Sequence, residues 1–152
     1  MEKILNGRPL VAGEAEGRAI VSRQPLSFWG GLNPCTGEVI DRRHELSGVI
    51  VAEKVFVLPQ GKGSSTGSAV LVEGIRMGKA PAAIITARAD PILALGAIVA
   101  DELYHRTVPV LVLSQDGFDS INDGDYLVIK PDGRIEVRPY GEISGDESRD
   151  SQ

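Results

Sequence analysis

Short runs of Val, Ile and Ala alternate with two helical segments through the middle of the chain, and this alternation limits the possible folds most strongly. Four short segments have the length and the β-branched character of buried strands. The first two, 48–52 and 54–58, form one or two strands, and the segments 82–86 and 108–113 form one strand each. Buried strands that alternate with helices favour parallel pairing, with the helices packed on the sheet. The sequence therefore predicts an α/β centre.

The two helices between these strands carry recognisable signals. Residues 66–77 place Ala69, Leu71, Val72 and Ile75 at spacings of one, three and four, which gives one apolar face. Residues 91–104 form the second predicted helix, with Asp90 as its N-cap and Pro91 at the first helical position.

Both flanks of the chain are β-rich. We expect strands at 3–8 and 17–22, and a hairpin of 125–130 with 134–138 across the turn Pro131-Asp132-Gly133. Residues 24–47 form a long irregular segment, which is typical of a functional or interface element. The prediction is an α/β layered domain of the β/β/α type over residues 1–139, followed by a flexible acidic tail at 140–152.

Composition excludes several functional classes. The chain has 152 residues, 42% of them hydrophobic, which suits one domain with a sizeable core. Its net charge of −5 provides no basic surface for nucleic acid, and no apolar run reaches the roughly 18 residues needed to cross a membrane. The single cysteine, Cys35, excludes an internal disulfide and argues against a metal site of its own. We therefore expect a cytoplasmic protein without a metal ligand set.

The most informative segment is the loop that joins the strand at 54–58 to the first helix, with the sequence PQGKGSSTGS at 59–68. Its glycines permit tight backbone turns, and the amides at a helix start favour an anion. Lys62 adds a positive charge, and Ser64, Ser65 and Thr66 add hydroxyl donors. The loop is a candidate cradle for a carboxylate or phosphate; the plain alternative is a capped helix after a flexible turn. The spacing of a Walker A motif is missing.

A hydrolase nucleophile elbow is a second interpretation of the same loop. Gly63-Ser64-Ser65-Thr66-Gly67 fits Gly-x-Ser-x-Gly with Ser65 at its centre. Asp90 or Asp101, followed by His105, would complete a triad in the required order. The pattern is weak in a loop so rich in glycine and serine, and nothing in the sequence marks His105 as a base.

Four segments in order resemble the small subunit of the aconitase X family: PLSFWGG at 25–31, NP to ID at 33–41, GKGSSTGS at 61–68 and DPILALGAIV at 90–99. The resemblance runs from about residue 8 to 138. It implies a swivelling β/β/α domain that packs on a large subunit carrying an iron–sulfur cluster, in an enzyme that dehydrates small hydroxy acids. It also implies that Ser64, the first serine after Gly-Lys-Gly, is the base that removes a proton.

The other candidate site residues surround that serine in sequence or in the family motifs. Lys62, Gly63, Ser65 and Thr66 are candidate substrate-binding residues of the loop, with Asp90 at the second helix start. The aromatic loop contributes Phe28, Trp29, Gly30 and Gly31, which would otherwise serve as an apolar plug or an interface. Cys35 is a lone cysteine of a polar loop, with cluster ligation as the alternative. Arg42, Arg43 and His44 form a solvated or interface surface, with a substrate contact as the alternative.

Two family activities compete for this chain. The forms of the aromatic loop and of the segment 89–104 favour dehydration of cis-3-hydroxy-L-proline over that of phosphomevalonate. A mobile phosphocarrier would need a histidine in the loop, which offers only hydroxyls, and a non-catalytic anion-binding or mobile domain is the remaining alternative.

A serine is a poor base, because its alkoxide is very unstable in water. A helix N-terminus stabilises a negative charge by up to about 2 kcal/mol, which is not enough to ionise the serine. The chain therefore holds half of an active site.

Overall fold

The computed structural model describes residues 2–62 and 66–140. Within them, eight strands and four helical segments follow one another along the chain: β1 Lys3–Asn6, β2 Arg8–Val11, β3 Ala15–Val21, α1 Phe28–Gly31, β4 Val55–Leu58, α2 Thr66–Met77, β5 Ala83–Thr86, α3 Pro91–Tyr104, β6 Val110–Val112, α4 Gln115–Asp119, β7 Tyr126–Ile129 and β8 Arg134–Arg138.

The strands form one mixed sheet in the order β1-β8-β7-β3-β4-β5-β6-β2. The central strands β3, β4, β5 and β6 pair in parallel, and the flanking strands pair antiparallel. The predicted parallel centre with β-rich flanks is therefore confirmed, as an α/β domain.

A single residue, Gly7, separates β1 from β2, although these strands lie at opposite ends of the sheet order. The sheet consequently curls until it nearly closes as a barrel. The Gly7 amide donates to the Gly133 carbonyl at 2.9 Å across the seam. A Cβ on Gly133, which has φ +95°, would lie 2.3 Å from the Gly7 carbonyl oxygen, so only glycine fits this turn.

Successive side chains of a strand point to opposite faces of the sheet, and this divides the hydrophobic core into two clusters. In β4, Val55 and Val57 face the barrel interior, where Phe118 of α4 also packs. Phe56 and Leu58 face outward onto α2, α3 and the segment 26–51. Because both faces of the sheet are covered here, β4 and β6 are apolar along their whole length.

One prediction about local structure was wrong, and one short helix was missed. Residues 48–52 form no strand: Ile50 makes an isolated bridge with Glu38, and its side chain is exposed. Left-handed backbone at Gly48 (φ +88°) and Glu53 (φ 63°) breaks the segment on both sides. The short helix α4 was not predicted, because five residues are too few for a periodic signal.

Residues 141–152 of the predicted tail lie outside the described part of the chain. Tyr140, the first residue of that tail, is held on the domain: its amide donates to Asp125 Oδ1 at 3.2 Å, and its ring lies 5.8 Å from the Arg18 guanidinium. No helix in the described ranges is both long and apolar enough to cross a membrane.

Candidate active site

The serine–glycine loop and the start of α3 meet at one edge of the sheet. Strands β4 and β5 are parallel neighbours, so the segments that follow them leave the sheet side by side, as at the ligand-binding edge of other parallel sheets. The amides of Ala87 and Arg88 donate to the Pro59 carbonyl at 3.1 and 3.3 Å. These bonds tie together the two segments that lead to the candidate site.

Asp90 links the loop to the second helix. Its Oδ1 accepts the Leu93 amide at 3.0 Å, which confirms it as the N-cap of α3, and its Oδ2 accepts the Gly61 amide at 2.7 Å. The carboxylate is almost fully buried, with the residue 7% exposed. A Cβ on Gly61 would lie 2.8 Å from Oδ2, so any larger residue at position 61 would displace this carboxylate oxygen.

The aromatic loop forms the opposite wall. Leu26 pairs with Gly61, and its carbonyl accepts the Lys62 amide at 3.1 Å. Phe28 is buried and stacks on Phe56 with ring centroids 6.2 Å apart. Gly67, near the start of α2, lies between Phe28 and Ile92, since a Cβ there would be 3.8 Å from each side chain.

Phe28 and Trp29 have different environments despite being neighbours. The Trp29 side chain is 63% exposed, and its backbone (φ −73°, ψ 118°) leaves the helical region. Gly30 follows with φ +79°, and Gly31 is buried against Leu26. Of the predicted aromatic-loop residues, the structure therefore brings only Phe28 to the cavity wall and leaves Trp29 on the surface beside it.

The cavity bounded by these residues measures about 30 Å³. Ligand pockets generally occupy about 300–1,000 Å³, so the described residues form only part of a pocket. Three predicted site residues line it, Phe28, Lys62 and Asp90. Four further lining residues were not among the predicted site residues: Gly61, Gly67, Ile92 and Leu93.

The predicted base Ser64 and its neighbours Gly63 and Ser65 lie outside the described residues. Two residues that flank this stretch, Lys62 and Gly67, both line the cavity. Thr66, the first residue of α2, is exposed. A signal for Ile92 and Leu93 was present in the sequence. They follow β5 as the serine–glycine loop follows β4, and the segments after two parallel neighbouring strands leave the sheet at the same end.

A larger groove adjoins the cavity at Lys62. It encloses about 570 Å³ and is lined by Gln24, Pro25, Asp41, Arg43, His44 and Lys62. Arg43 thus shares a groove with Lys62. The sequence did not indicate this proximity, because the two residues are 19 positions apart.

His44 is a buried residue that fixes one side of this groove. Its Nδ1 accepts the Leu46 amide at 3.0 Å, and its Nε2 lies 3.3 Å from the Gln24 carbonyl oxygen. The neighbouring Glu45 carboxylate accepts the Arg23 amide at 2.6 Å and the Ser22 hydroxyl at 2.9 Å, and these bonds lower the pKa of Glu45 below its ordinary value. These bonds hold residues 44–46 against the end of β3.

The hydrolase interpretation is wrong on geometry. His105 ends α3, whereas Asp90 begins it, and a helix of 14 residues separates them by about 21 Å. His105 has left-handed backbone and donates its amide to the Asp101 carbonyl, as a C-cap. It therefore lies far from the loop that would hold the nucleophile.

The described residues also contain no group of three or more His, Cys, Asp and Glu side chains placed to hold a metal ion. Cys35 is exposed. The part of the chain that the structure describes therefore does not fit an iron–sulfur cluster.

Comparison with known proteins identifies the domain. Residues 4–137 match the family model for the aconitase X swivel domain. The chain belongs to this family. The aconitase X crystal structure from Thermococcus kodakaraensis, in its holo-form, superposes on this swivel domain with a TM-score of 0.80 at 38% identity, covering 90% of this chain and 99% of that one.

Two types of curated relatives share the swivel domain. The cis-3-hydroxy-L-proline dehydratase of Pseudomonas aeruginosa is 47% identical over 86% of this chain, but the match spans only 22% of that protein. The chain thus covers about a fifth of the length of this relative. The phosphomevalonate dehydratase small subunit of Methanosarcina acetivorans is 39% identical over 90% of this chain and 93% of its own length.

Proposed function

We propose that this swivel domain is the small subunit of an aconitase X-type hydro-lyase, and that the enzyme is a cis-3-hydroxy-L-proline dehydratase. One observation carries the choice of substrate: the cavity beside the loop combines an apolar wall with a buried carboxylate. Phe28 and Ile92 supply the wall, and Asp90 supplies the carboxylate. A small cyclic amino acid presents the matching features, an apolar ring and a cationic ring nitrogen.

Asp90 has the capacity for this additional partner. Each of its oxygens accepts one backbone N–H, and an ionised carboxylate has about four acceptor positions in all. A protonated ring nitrogen could therefore bind without displacing the bonds to Gly61 and Leu93. The substrate carboxylate would be held by the loop, where Lys62 provides a positive charge.

In the proposed reaction Ser64, ionised as an alkoxide, takes the proton from the α-carbon. The hydroxyl leaves the β-carbon with the C–O electron pair, as hydroxide that a Lewis acid of the large subunit would accept. The C–H electron pair forms the carbon–carbon double bond, and the resulting enamine tautomerises to the imine acid. A helix N-terminus supplies up to about 2 kcal/mol toward an ionised serine, roughly 1.5 pKa units, so Lys62 and cationic groups of the partner must supply the rest. We assign the iron–sulfur centre to the large subunit, as the family resemblance implies.

Phosphomevalonate is the second candidate substrate. The groove of about 570 Å³ places a second cation, Arg43, beside Lys62, which also lines the small cavity. A substrate with a carboxylate and a distant phosphate would suit that arrangement, although Asp41 in the same groove opposes it. The subunit-type relatives with this activity match over nearly their whole length.

The matched substitutions Ser64→Ala and Ser65→Ala test the proposed base in the complex with the large subunit. We expect Ser64→Ala to lower kcat by about 10²–10⁴-fold, the usual contribution of a general base. Ser65→Ala removes a hydroxyl donor and should act mainly on KM. Near-native kcat in Ser64→Ala, with loss of turnover in Ser65→Ala, would show that the base is assigned one residue too early. Near-native kcat in both variants would support the non-catalytic interpretation.

Competition binding to the same complex tests the choice of substrate. We expect cis-3-hydroxy-L-proline and pyrrole-2-carboxylate, a planar mimic of the deprotonated ring, to bind. Tight binding of phosphomevalonate without either of them would replace the preferred substrate with the second candidate.

We further expect the complex in the cytoplasm, where a chain with one cysteine needs no disulfide.

A further inference from the structure

An apolar groove runs along the outer side of α3, next to the edge strand β2. It encloses about 450 Å³, and its lining is almost entirely apolar: Leu10, Ala89, Pro91, Ala94, Leu95 and Ile98. Leu95 and Ile98 are each 51% exposed. We refer to this surface as the β2–α3 groove.

Helix α3 carries apolar side chains on two sides, and one of these sides lines the groove. Leu93, Ala97 and Ala100 face inward and are buried in the core. Pro91, Leu95 and Ile98 follow at spacings of four and three, so they form a second apolar stripe on one side of the helix. A helix that is hydrophobic around most of its circumference is typical of a buried position. The isolated domain buries only one of the two stripes.

The groove lies beside the candidate active site at the start of α3. Ala89 and Pro91 line the groove, and Asp90 between them lines the cavity. Ile92 and Leu93 follow on the cavity side. The cavity of about 30 Å³ needs further walls to hold a substrate. A protein surface that supplies those walls at the start of α3 would therefore lie next to the groove.

We propose that the β2–α3 groove is the docking surface for the large subunit, which seats an apolar segment on Leu95 and Ile98. This inference rests on the proposed function, because it takes the partner from there. In the longer relative the matched domain is about a fifth of one chain. The same domain therefore meets the rest of the enzyme either within one chain or between two.

Two other occupants fit less well. Residues 141–152 of this chain are acidic and polar, with Ile143 as their one large apolar residue, so they do not match an apolar lining. A second copy would place the same patch of each copy face to face. Such a pairing would add only a second copy of the same residues, and the described part of the chain holds no metal-ligand cluster to contribute.

The test measures binding of the purified large subunit from the same organism to variants of this chain. Leu95→Asp and Ile98→Asp each place a charge in the groove, and we expect each to weaken the dissociation constant by more than tenfold. Leu103→Asp is the matched control, because Leu103 lies on the same helix, is 60% exposed and does not line the groove. We expect less than a twofold change for it.

A second readout separates docking from chemistry. At saturating concentrations of each variant, turnover by the complex should return to the wild-type level, since the groove residues only hold the subunits together. Equal binding by Leu95→Asp, Ile98→Asp and Leu103→Asp would overturn the docking surface while leaving the proposed function intact. Wild-type chain that fails to bind the large subunit at all would overturn both. Dimerisation of the isolated wild-type chain that Leu95→Asp abolishes would assign the groove to a second copy and overturn the proposal.

Discussion

At the scale of single residues, Asp90 has the largest structural role at the candidate site. One carboxylate oxygen caps α3 and the other accepts the amide of Gly61, three positions before Ser64. Gly61 is also the residue that pairs with Leu26 ahead of the aromatic wall. A single side chain thus positions the helix, the loop and, through the loop, the opposite wall.

Replacing Asp90 with alanine should be more costly than removing an ordinary helix cap. The substitution loses a cap worth about 0.5–2 kcal/mol and leaves the Gly61 N–H without its acceptor, at a further cost of about 1–3 kcal/mol. Ser114→Ala is the control, because Ser114 caps α4 by accepting the Gly117 amide and has no role at the loop. Urea unfolding of both variants measures the difference. Equal losses of stability would show that the bond to Gly61 contributes nothing.

Much of the residue-level site was predictable from local chemistry. The N-cap signal at Asp90-Pro91 depends only on adjacent residues, and the structure confirms it. The proximity of Arg43 to Lys62 depends instead on the path of an irregular segment, which no local pattern specifies. Trp29 shows a further limit, since sequence identifies an aromatic pair but not which of the two rings is buried.

At the scale of elements, the packing of α2 against α3 depends on a glycine. A Cβ on Gly96 of α3 would lie 2.9 Å from the Ser68 carbonyl oxygen and 3.2 Å from Ser68 Cα. Both atoms belong to the backbone of α2, so neither can rotate away. The buried Ser68 hydroxyl adds a bond of 2.6 Å to the Ile92 carbonyl at the same crossing. This close contact fixes the two helix starts that border the cavity.

Two glycine substitutions should therefore have opposite effects on stability. Gly96→Ala should destabilise the domain by about 1–3 kcal/mol, since overpacking against backbone forces the helices apart. Gly74→Ala in α2 should stabilise it by about 0.5–1 kcal/mol, because a Cβ there meets its nearest neighbour at 3.7 Å and alanine favours the helix. Chemical denaturation of both variants measures the signs. Stabilisation by Gly96→Ala would contradict the close helix crossing.

The two long helices and the central strands were predictable because their periodicity is strong and their boundaries are marked by Asp90-Pro91 and by glycines. The segment 48–52 looked like a strand from its Val and Ile content alone. Its backbone turns at Gly48 and Glu53, and the left-handed conformation at Glu53 has no sequence signal, since it is uncommon for a glutamate.

At the scale of the whole molecule, the near-closure of the sheet and the incompleteness of the site are related. Gly7 joins the two ends of the sheet order, so the barrel side of the domain is sealed by Phe118 and its apolar neighbours. Helices cover only part of the outer face, which leaves the cavity and the β2–α3 groove open together. Closure of this kind depends on contacts between distant strands and was not predictable from local patterns. The family resemblance gave the layered architecture but not this seam.

The most direct measurement of the account is the rate of dehydration as this chain is titrated into a fixed amount of the purified large subunit. With cis-3-hydroxy-L-proline as substrate, we expect no turnover by either subunit alone, because the proposed site is divided between the two. The rate should rise with added chain and saturate, and chain with Ser64→Ala should give the same saturation of binding without the rise in rate. Turnover by either isolated subunit would contradict a shared site, and so would a saturated complex that dehydrates neither this substrate nor phosphomevalonate.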